Sequence, residues 1–282
     1  MRYIDLHAHS CASDGSDSPR ALVEKAAAAG LAAIAVTDHD SVGGVTEAME
    51  AGRELGVEVV PGIEVSSDYL DNNVHILGYF IDPDAPELRP VLDWVRVERD
   101  IRNEKIAEML FAAGYDITME DLRRTYPGAV LGRPHFCEYL ANKGCIADVK
   151  EGFDTLLGPG KPFYLPKRRI SIEKAVKVIR AAGGIPVLAH PVMYGYDREE
   201  LGRLFDTVEA LGIRHVEALY SENTPEEEAW LLSECERRGL GITGGSDYHG
   251  TRKPGLQPGT GYGSMFAGYD LLEGLKKAAG KI

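Results

Sequence analysis

Cysteine is scarce in this chain of 282 residues: Cys11, Cys137, Cys145 and Cys235 are the four, far apart and in no C-x-x-C pair. That spacing argues against a disulfide framework and against a thiolate zinc site. Long apolar runs are missing too. No stretch of roughly eighteen apolar residues could cross a bilayer, and the first residues enter a short strand-like segment without the charged and apolar regions of a secretory signal. A reduced, cytoplasmic protein is expected. Basic residues are outnumbered, 31 Lys and Arg against 44 Asp and Glu, for a net charge of −13. Broad adhesion to duplex nucleic acid or to an anionic membrane depends on Lys and Arg neutralising phosphates over a wide surface, so both are disfavoured. An anionic substrate needs a local source of positive charge. No Gly-x-Gly-x-x-Gly follows a strand-like run, which removes the usual sign of a dinucleotide-binding sheet.

What the chain does have is alternation. Apolar runs at 3–6, 32–37, 57–65, 74–80, 185–189, 215–219 and 241–245 alternate with helix-like segments, the pattern of an α/β fold built from βα units. Ser18-Pro19 gives an N-cap and a first-turn proline, with Gly30 as the stop. Thr224-Pro225-Glu226-Glu227 opens a second helix with a capping box that runs through Arg238. About seven strands, mostly followed by helices, predict a closed or nearly closed parallel barrel. The stretch "GVEVVPGIEV", with two glycines, reads as a bent or broken strand. From 82 to 166 the pattern turns helical, beginning with one long amphipathic segment. This predicts a barrel domain at 1–81 and 167–282 with an inserted helical lid at 82–166 over the C-terminal mouth, where barrel enzymes keep their sites.

Of the eight histidines, six stand at the predicted strand ends. His7 and His9 end the first strand, and alternate strand residues point to one side. His39 ends the second in "VTDHD", Glu64 closes the third, His75 opens the fourth, His190 ends "LAHP", and "GGSDYHG" sets Asp247 and His249 two apart. Asp14 sits in the loop after the first strand. His215 reads as structural. These six histidines and three carboxylates are too many for one ion with roughly four to six positions, so two or three ions are expected. Nitrogen and oxygen donors without sulfur suit Mn²⁺, Fe²⁺ or Zn²⁺.

In order, H-x-H…SDG, TDHD, G-x-E, VHILGY, LAHP and GGSDYHG resemble the motifs of the PHP family, named for its polymerase and histidinol phosphatase members, and in particular its small stand-alone phosphoesterases. The resemblance extends to "GRPHFCEYL" and "KPFYLPKRRISIEKAVKVIRAAGGIPVLAHP". It implies a distorted (β/α)₇ barrel carrying a two- or three-metal site. By this resemblance His7, His9, Glu64 and Asp247 hold one ion, Glu64, His75 and His190 a second, and Asp14, His39 and His249 a third. The implied nucleophile is a metal-bound hydroxide near Glu64 and Asp247, attacking phosphorus in line. Arg133, with a fork suited to oxyanions, His135 and Lys167 are the expected phosphate contacts. Asn223 stands where such phosphoesterases often carry a Ser-His-Ser-like stretch. It can hydrogen-bond a sugar or phosphate but cannot act as an acid, so the leaving-group acid is unassigned. The implied activity is removal of a terminal phosphate from a small nucleotide, such as a nucleoside 3′,5′-bisphosphate, or trimming of short 5′-phosphorylated oligonucleotides. Histidinol-phosphate phosphatase is the alternative enzyme, and a non-catalytic metal-binding scaffold the alternative without catalysis.

Overall fold

The structure, a computed structural model, describes residues 2–282. Its strands are β1 (Tyr3–Asp5), β2 (Ala33–Val36), β3 (Glu58–Tyr69), β4 (Asn72–Tyr79), β5 (Ile170–Ser171), β6 (Ile185–Leu188), β7 (His215–Tyr220), β8 (Gly241–Gly245) and β9 (Ala267–Gly268). The helices are α1 (Pro19–Ala28), α2 (Val45–Leu55), α3 (Leu88–Ala112), α4 (Met119–Thr125), α5 (Arg133–Asn142), α6 (Val149–Gly152), α7 (Ile172–Ala181), α8 (Arg198–Ala210), α9 (Pro225–Arg238) and α10 (Tyr269–Ala278).

Seven strands stand in the spatial order β8, β7, β6, β4, β3, β2, β1, with β9 beside β1 and the short β5 pairing β3. The ring comes close to shutting between β1 and β8. Leu6 N donates to Gly244 O at 3.0 Å, Asp247 N to His7 O at 2.8 Å and His9 N to Tyr248 O at 2.9 Å. The expected caps are in place: Ser18 accepts from Ala21 N, and Thr224 and Glu227 form a reciprocal box.

Two expectations about strands fail for identifiable reasons. The barrel is not parallel throughout, because β4 runs antiparallel to both β3 and β6. A two-residue turn at Leu70 and Asp71, both with positive φ (50° and 66°), folds β3 straight back into β4. Such a hairpin needs no crossover helix. The second failure is the break expected in β3, which is one unbroken strand of 12 residues. Its glycine at 62 marks a change of neighbour, with Pro61 facing Val36 of β2 and Gly62 facing Tyr79 of β4. A Cβ there would stand 2.9 Å from the Thr37 methyl and 3.0 Å from Val36 O, so close approach accounts for the glycine. Glu64 accordingly lies in mid-strand, not at its end.

Alternation along β3 and β4 decides what faces the site. Ile63, Val65 and Ile76 join the apolar cluster under α7, while Val60, Leu77 and Tyr79 pack with Val187 and Ala189. Glu64 and His75 share the parity of the second set and so point to its side of the sheet. Residues 82–166 contain α3 to α6 and a π-helical turn at Phe153–Leu157. Ile106, Leu110, Leu122, Phe136 and Leu140 build an apolar cluster of their own there. The first turns of α3, with Leu88, Val91 and Val95, belong instead to the cluster of the barrel helices.

Candidate metal centre

His7 and His9 leave β1 side by side, with their Nε2 atoms 3.1 Å apart. Both atoms lie 3.3 Å from Glu64 Oε2, and they lie 3.3 and 3.0 Å from Asp247 Oδ1. All four side chains are buried. A tetrahedral ion with bonds of about 2.0–2.1 Å sets its donors roughly 3.3 Å apart, and these separations match that cage. The glycine before Ser246 makes the approach possible, since a Cβ on Gly245 would fall 2.2 Å from His7 Cβ.

Glu64 divides its oxygens. Oε1 lies 2.8 Å from His75 Nδ1 and 3.0 Å from His190 Nε2, while Oε2 takes His7, His9 and, at 2.8 Å, His39 Nδ1. Yet His39 Nδ1, His75 Nδ1 and Glu64 Oε2 are buried without a hydrogen-bond partner. Nitrogen and oxygen crowd together at these points without the alignment of a hydrogen bond, the arrangement expected of atoms aimed at a shared cation. A third group joins Asp14, His39, His249 and His9, with His249 Nε2 3.4 Å from Asp14 Oδ1 and His39 Nε2 3.8 Å from Asp14 Oδ2. A neutral imidazole has one free lone pair, so His9 and His39, which each stand in two groups, can each serve only one of them. The donor set thus fits divalent cations. His39 reaches its place by backbone pairing with Glu64, which extends the β2–β3 ladder.

Charge follows the same geometry. Burial alone would lower His39, but Glu64 and Asp14 outweigh it and carry its pKa up to about 9. Burial, with His249 and His39 close by, pushes His9 down to about 3. Burial opposes ionisation of Glu64 and Asp247, yet the surrounding histidines, and for Asp247 first of all Lys253, hold both well below the usual carboxylate range.

Further side chains lock the donors. Glu217 Oε1 sits 2.9 Å from His7 Nδ1. A carboxylate can only accept, so Nδ1 carries the hydrogen and Nε2 keeps its lone pair for the cage. The other oxygen of Glu217 accepts from His190 N at 2.9 Å. Tyr220 OH and Lys253 Nζ both donate to Asp247 Oδ2, at 2.8 and 2.7 Å, leaving Oδ1 toward His7 and His9. Asp5 accepts from Ser246 and Gly259, and Asp38 from Ser10 and Ser13, which pins the loops bearing Asp247 and Asp14.

Beside Asp14, His39 and His75 opens a cavity of about 230 Å³, also lined by Arg99, Arg102, Arg133, Lys167 and Arg169. The four arginines, with Lys167 as a further basic group, supply the local positive charge that the acidic chain otherwise lacks. Arg133 is fixed by Leu157 O at 3.0 Å, with the Tyr164 ring 5.0 Å away. Lys167 donates to Asp40 Oδ2 at 2.9 Å, and Arg99 pairs with the same carboxylate. Two expected contacts are not presented to the cavity. His135 is buried and accepts from Gly132 N at 3.0 Å, capping α5, and Asn223 donates to Ala218 O at 2.9 Å, closing its own loop. Neither lines the cavity.

A sequence profile of the PHP domain matches residues 5–157. The chain is 34% identical over 260 residues to the 3′,5′-nucleoside bisphosphate phosphatase of Chromobacterium violaceum, covering 92% of this chain and 91% of that one. This chain belongs to the PHP family. It is also 31% identical over 245 residues to a 5′-3′ exoribonuclease of Haemophilus influenzae, covering 87% of this chain and 89% of that protein. Among solved structures, a Bifidobacterium adolescentis protein assigned as a metal-dependent phosphoesterase superposes with a TM-score of 0.88 at 28% identity, over 98% of this chain and 96% of that one.

In this PHP protein Glu217, Lys253, Asp40, Arg99 and Arg102 also reach the site, and none of them was expected from the sequence. Glu217 had a signal, a carboxylate inside the apolar run "HVEALY". Arg99 and Arg102 had none, because a charged residue on an amphipathic helix reads as solvated surface. His215 belongs to none of the donor groups and lies against Gly241 at the far end of β7.

Proposed function

We propose that the protein hydrolyses phosphate esters of small nucleotides at this centre, with His7, His9, Glu64 and Asp247 holding one divalent ion, Glu64, His75 and His190 a second, and Asp14, His39 and His249 a third. The protein is a metal-dependent phosphoesterase, and the finer reading concerns its substrate and its donors. When bound, such ions lower the pKa of coordinated water toward neutrality and stabilise the oxygens of an in-line displacement at phosphorus. The observation that carries the reading is Glu64, with one oxygen toward each of two sets of histidines.

The chain's own residues do the rest. Glu217 holds the His7 ring in one tautomer, and Tyr220 with Lys253 keeps one Asp247 oxygen turned away from the cage. Arg133, clamped at Leu157 and flanked by Tyr164, presents its remaining N–H groups to a phosphate in the cavity. The helices of 82–166 act as the lid that shapes the cavity and limits water. The names of the relatives, a nucleoside bisphosphate phosphatase and an exoribonuclease, favour a nucleotide substrate. Four arginines around the cavity disfavour a substrate bearing an ammonium group, which counts against histidinol phosphate. Four unpaired cysteines fit a reducing cytoplasm.

The test is phosphate release by Mn²⁺-loaded protein from nucleoside 3′,5′-bisphosphates, short 5′-phosphorylated RNA, phenyl phosphate and histidinol phosphate. Nucleotides are expected to turn over best, and release from none of these substrates would sink the reading. Asp247→Asn is expected to reduce turnover to background with loss of bound metal by elemental analysis. Arg133→Ala is expected to raise KM roughly tenfold or more, the effect of one lost charged hydrogen bond, with metal content unchanged.

A further inference from the structure

Two histidines of the centre are backed by groups that can only accept a hydrogen bond. Glu217 Oε1 lies 2.9 Å from His7 Nδ1, and the Asp247 carbonyl lies 2.8 Å from His249 Nδ1. Each takes the ring's N–H and leaves the lone pair on Nε2, which faces Asp247 Oδ1 in His7 and Asp14 Oδ1 in His249. His75 is backed differently. Its Nδ1 lies 2.8 Å from Glu64 Oε1, and its Nε2 lies 2.5 Å from Asn73 Nδ2. Asn73 stands two residues earlier on β4, so both side chains leave the same face of the strand, and both line the cavity.

A carboxamide can be turned either way. With Nδ2 toward the ring, Asn73 donates to Nε2, and the one hydrogen of a neutral imidazole is forced onto Nδ1. That hydrogen would be buried without an acceptor, because Nδ1 has no hydrogen-bond partner despite its closeness to Glu64. With Oδ1 toward the ring, Nε2–H is donated to Asn73. Nδ1 then presents its lone pair where Glu64 Oε1 and His190 Nε2 also converge. Half a turn of the amide separates the two arrangements. We propose that Asn73 is a positioning residue of the metal centre, accepting from His75 Nε2 through Oδ1 and so holding the tautomer whose Nδ1 can ligate an ion. The proposal rests on the metal-binding part of the reading above and not on the choice of substrate.

The experiment titrates Mn²⁺ by calorimetry into chelator-stripped, full-length wild type, Asn73→Leu and Asn73→Asp. Leucine keeps the bulk and offers no acceptor, whereas an aspartate offers acceptors alone. Asn73→Leu is expected to bind at least one ion roughly 10- to 100-fold more weakly, the usual cost of removing a group that orients a ligating histidine. Asn73→Asp is expected to bind at least as tightly as wild type. No loss in Asn73→Leu, the result expected of a residue that touches only substrate, overturns the proposal. An equal loss in both variants also overturns it, because the site would then need the amide N–H groups. Asn73 is exposed, so both ion-free variants are expected to melt within about 2 °C of wild type. A larger fall in Asn73→Leu would mark a structural role and count against the assignment.

The tautomer itself is open to measurement. Long-range proton–nitrogen NMR spectra of the imidazoles in isotope-labelled, Zn²⁺-loaded protein, with His75→Gln assigning the signal, are expected to show the His75 proton on Nε2. A proton on Nδ1 overturns the proposal. Ion uptake and tautomer are both read without turnover. A wild type that releases no phosphate from any substrate therefore ends the phosphoesterase reading alone, whereas a wild type that takes up no ion overturns the role of Asn73.

Discussion

Asp40 carries more of this site than its place in the sequence suggests. Buried, with positive φ, it accepts from Ser66 N at 2.9 Å while pairing with Arg99 and Lys167, so one carboxylate ties the barrel to α3 and to the segment that follows the helices of 82–166. Burial opposes its ionisation, but Lys167 and Arg99 hold it well below the usual carboxylate range. Lys167 is depressed to about 7, by burial first and then by the Arg99 charge, with Asp40 pulling the other way. An amine that releases its proton near pH 7 when folded and near 10.4 when unfolded leaves the unfolded state holding the extra proton in between. Stability therefore rises with pH across that window, by up to about 1.4 kcal/mol per unit, and is flat below it. Lys167→Met is expected to remove this contribution. Denaturant unfolding at several pH values from 6 to 10 checks it, and an unaltered slope in the variant would refute it. The proposed metal donors stood out as residues because histidine is rare and recurred at strand ends, and the structure brings those side chains together. Asp40 was not, because a second carboxylate one position after a donor histidine has no periodicity that separates it from a solvated loop.

At the scale of elements, the β3–β4 hairpin is where pattern and structure part. The tight turn places Leu70 and Asp71 in the left-handed region, and Leu70 is 74% exposed. A residue with a Cβ is strained there, and Asn-Gly is the pair that fits this turn. Replacing both, Leu70→Asn with Asp71→Gly, is expected to raise stability by about 1 kcal/mol and the midpoint by roughly 2–4 °C, with kcat unchanged. A lower midpoint in differential scanning calorimetry would contradict the turn assignment. Because Leu-Asp is no strong turn signal, the reversal of β4 was invisible against the expectation of a parallel barrel. The seven barrel strands and the caps of α1 and α9 were legible, whereas the two-residue β5 and β9 were not, since alternation, Ser-Pro and Thr-Pro-Glu-Glu are local signals that burial then reinforces.

Across the whole molecule, the apolar cluster of Ile106, Leu110, Phe136 and Leu140 is separate from those of the barrel. Phe136 is fully buried in it, and Phe136→Ala is expected to cost about 3–5 kcal/mol locally. Hydrogen exchange is expected to quicken in α5 and the last turns of α3 but not in β1 to β4. KM is expected to rise while bound metal per chain stays constant. Loss of metal in this variant would show that the two parts are not energetically separable. The start of the helical region was legible from its period, but α3 lends its first turns to the barrel cluster, a sharing that no single-sequence pattern reveals.

The proposed donors are spread along the sequence, from His7 and His9 to Asp247 and His249. A ribosome making this polypeptide therefore displays imidazoles long before the final carboxylate exists. Until residue 249 has left the exit tunnel, a nascent chain lacks the full donor set. Full metal loading waits for that residue, and a product cut short of it, however well its early strands pair, cannot assemble the complete centre.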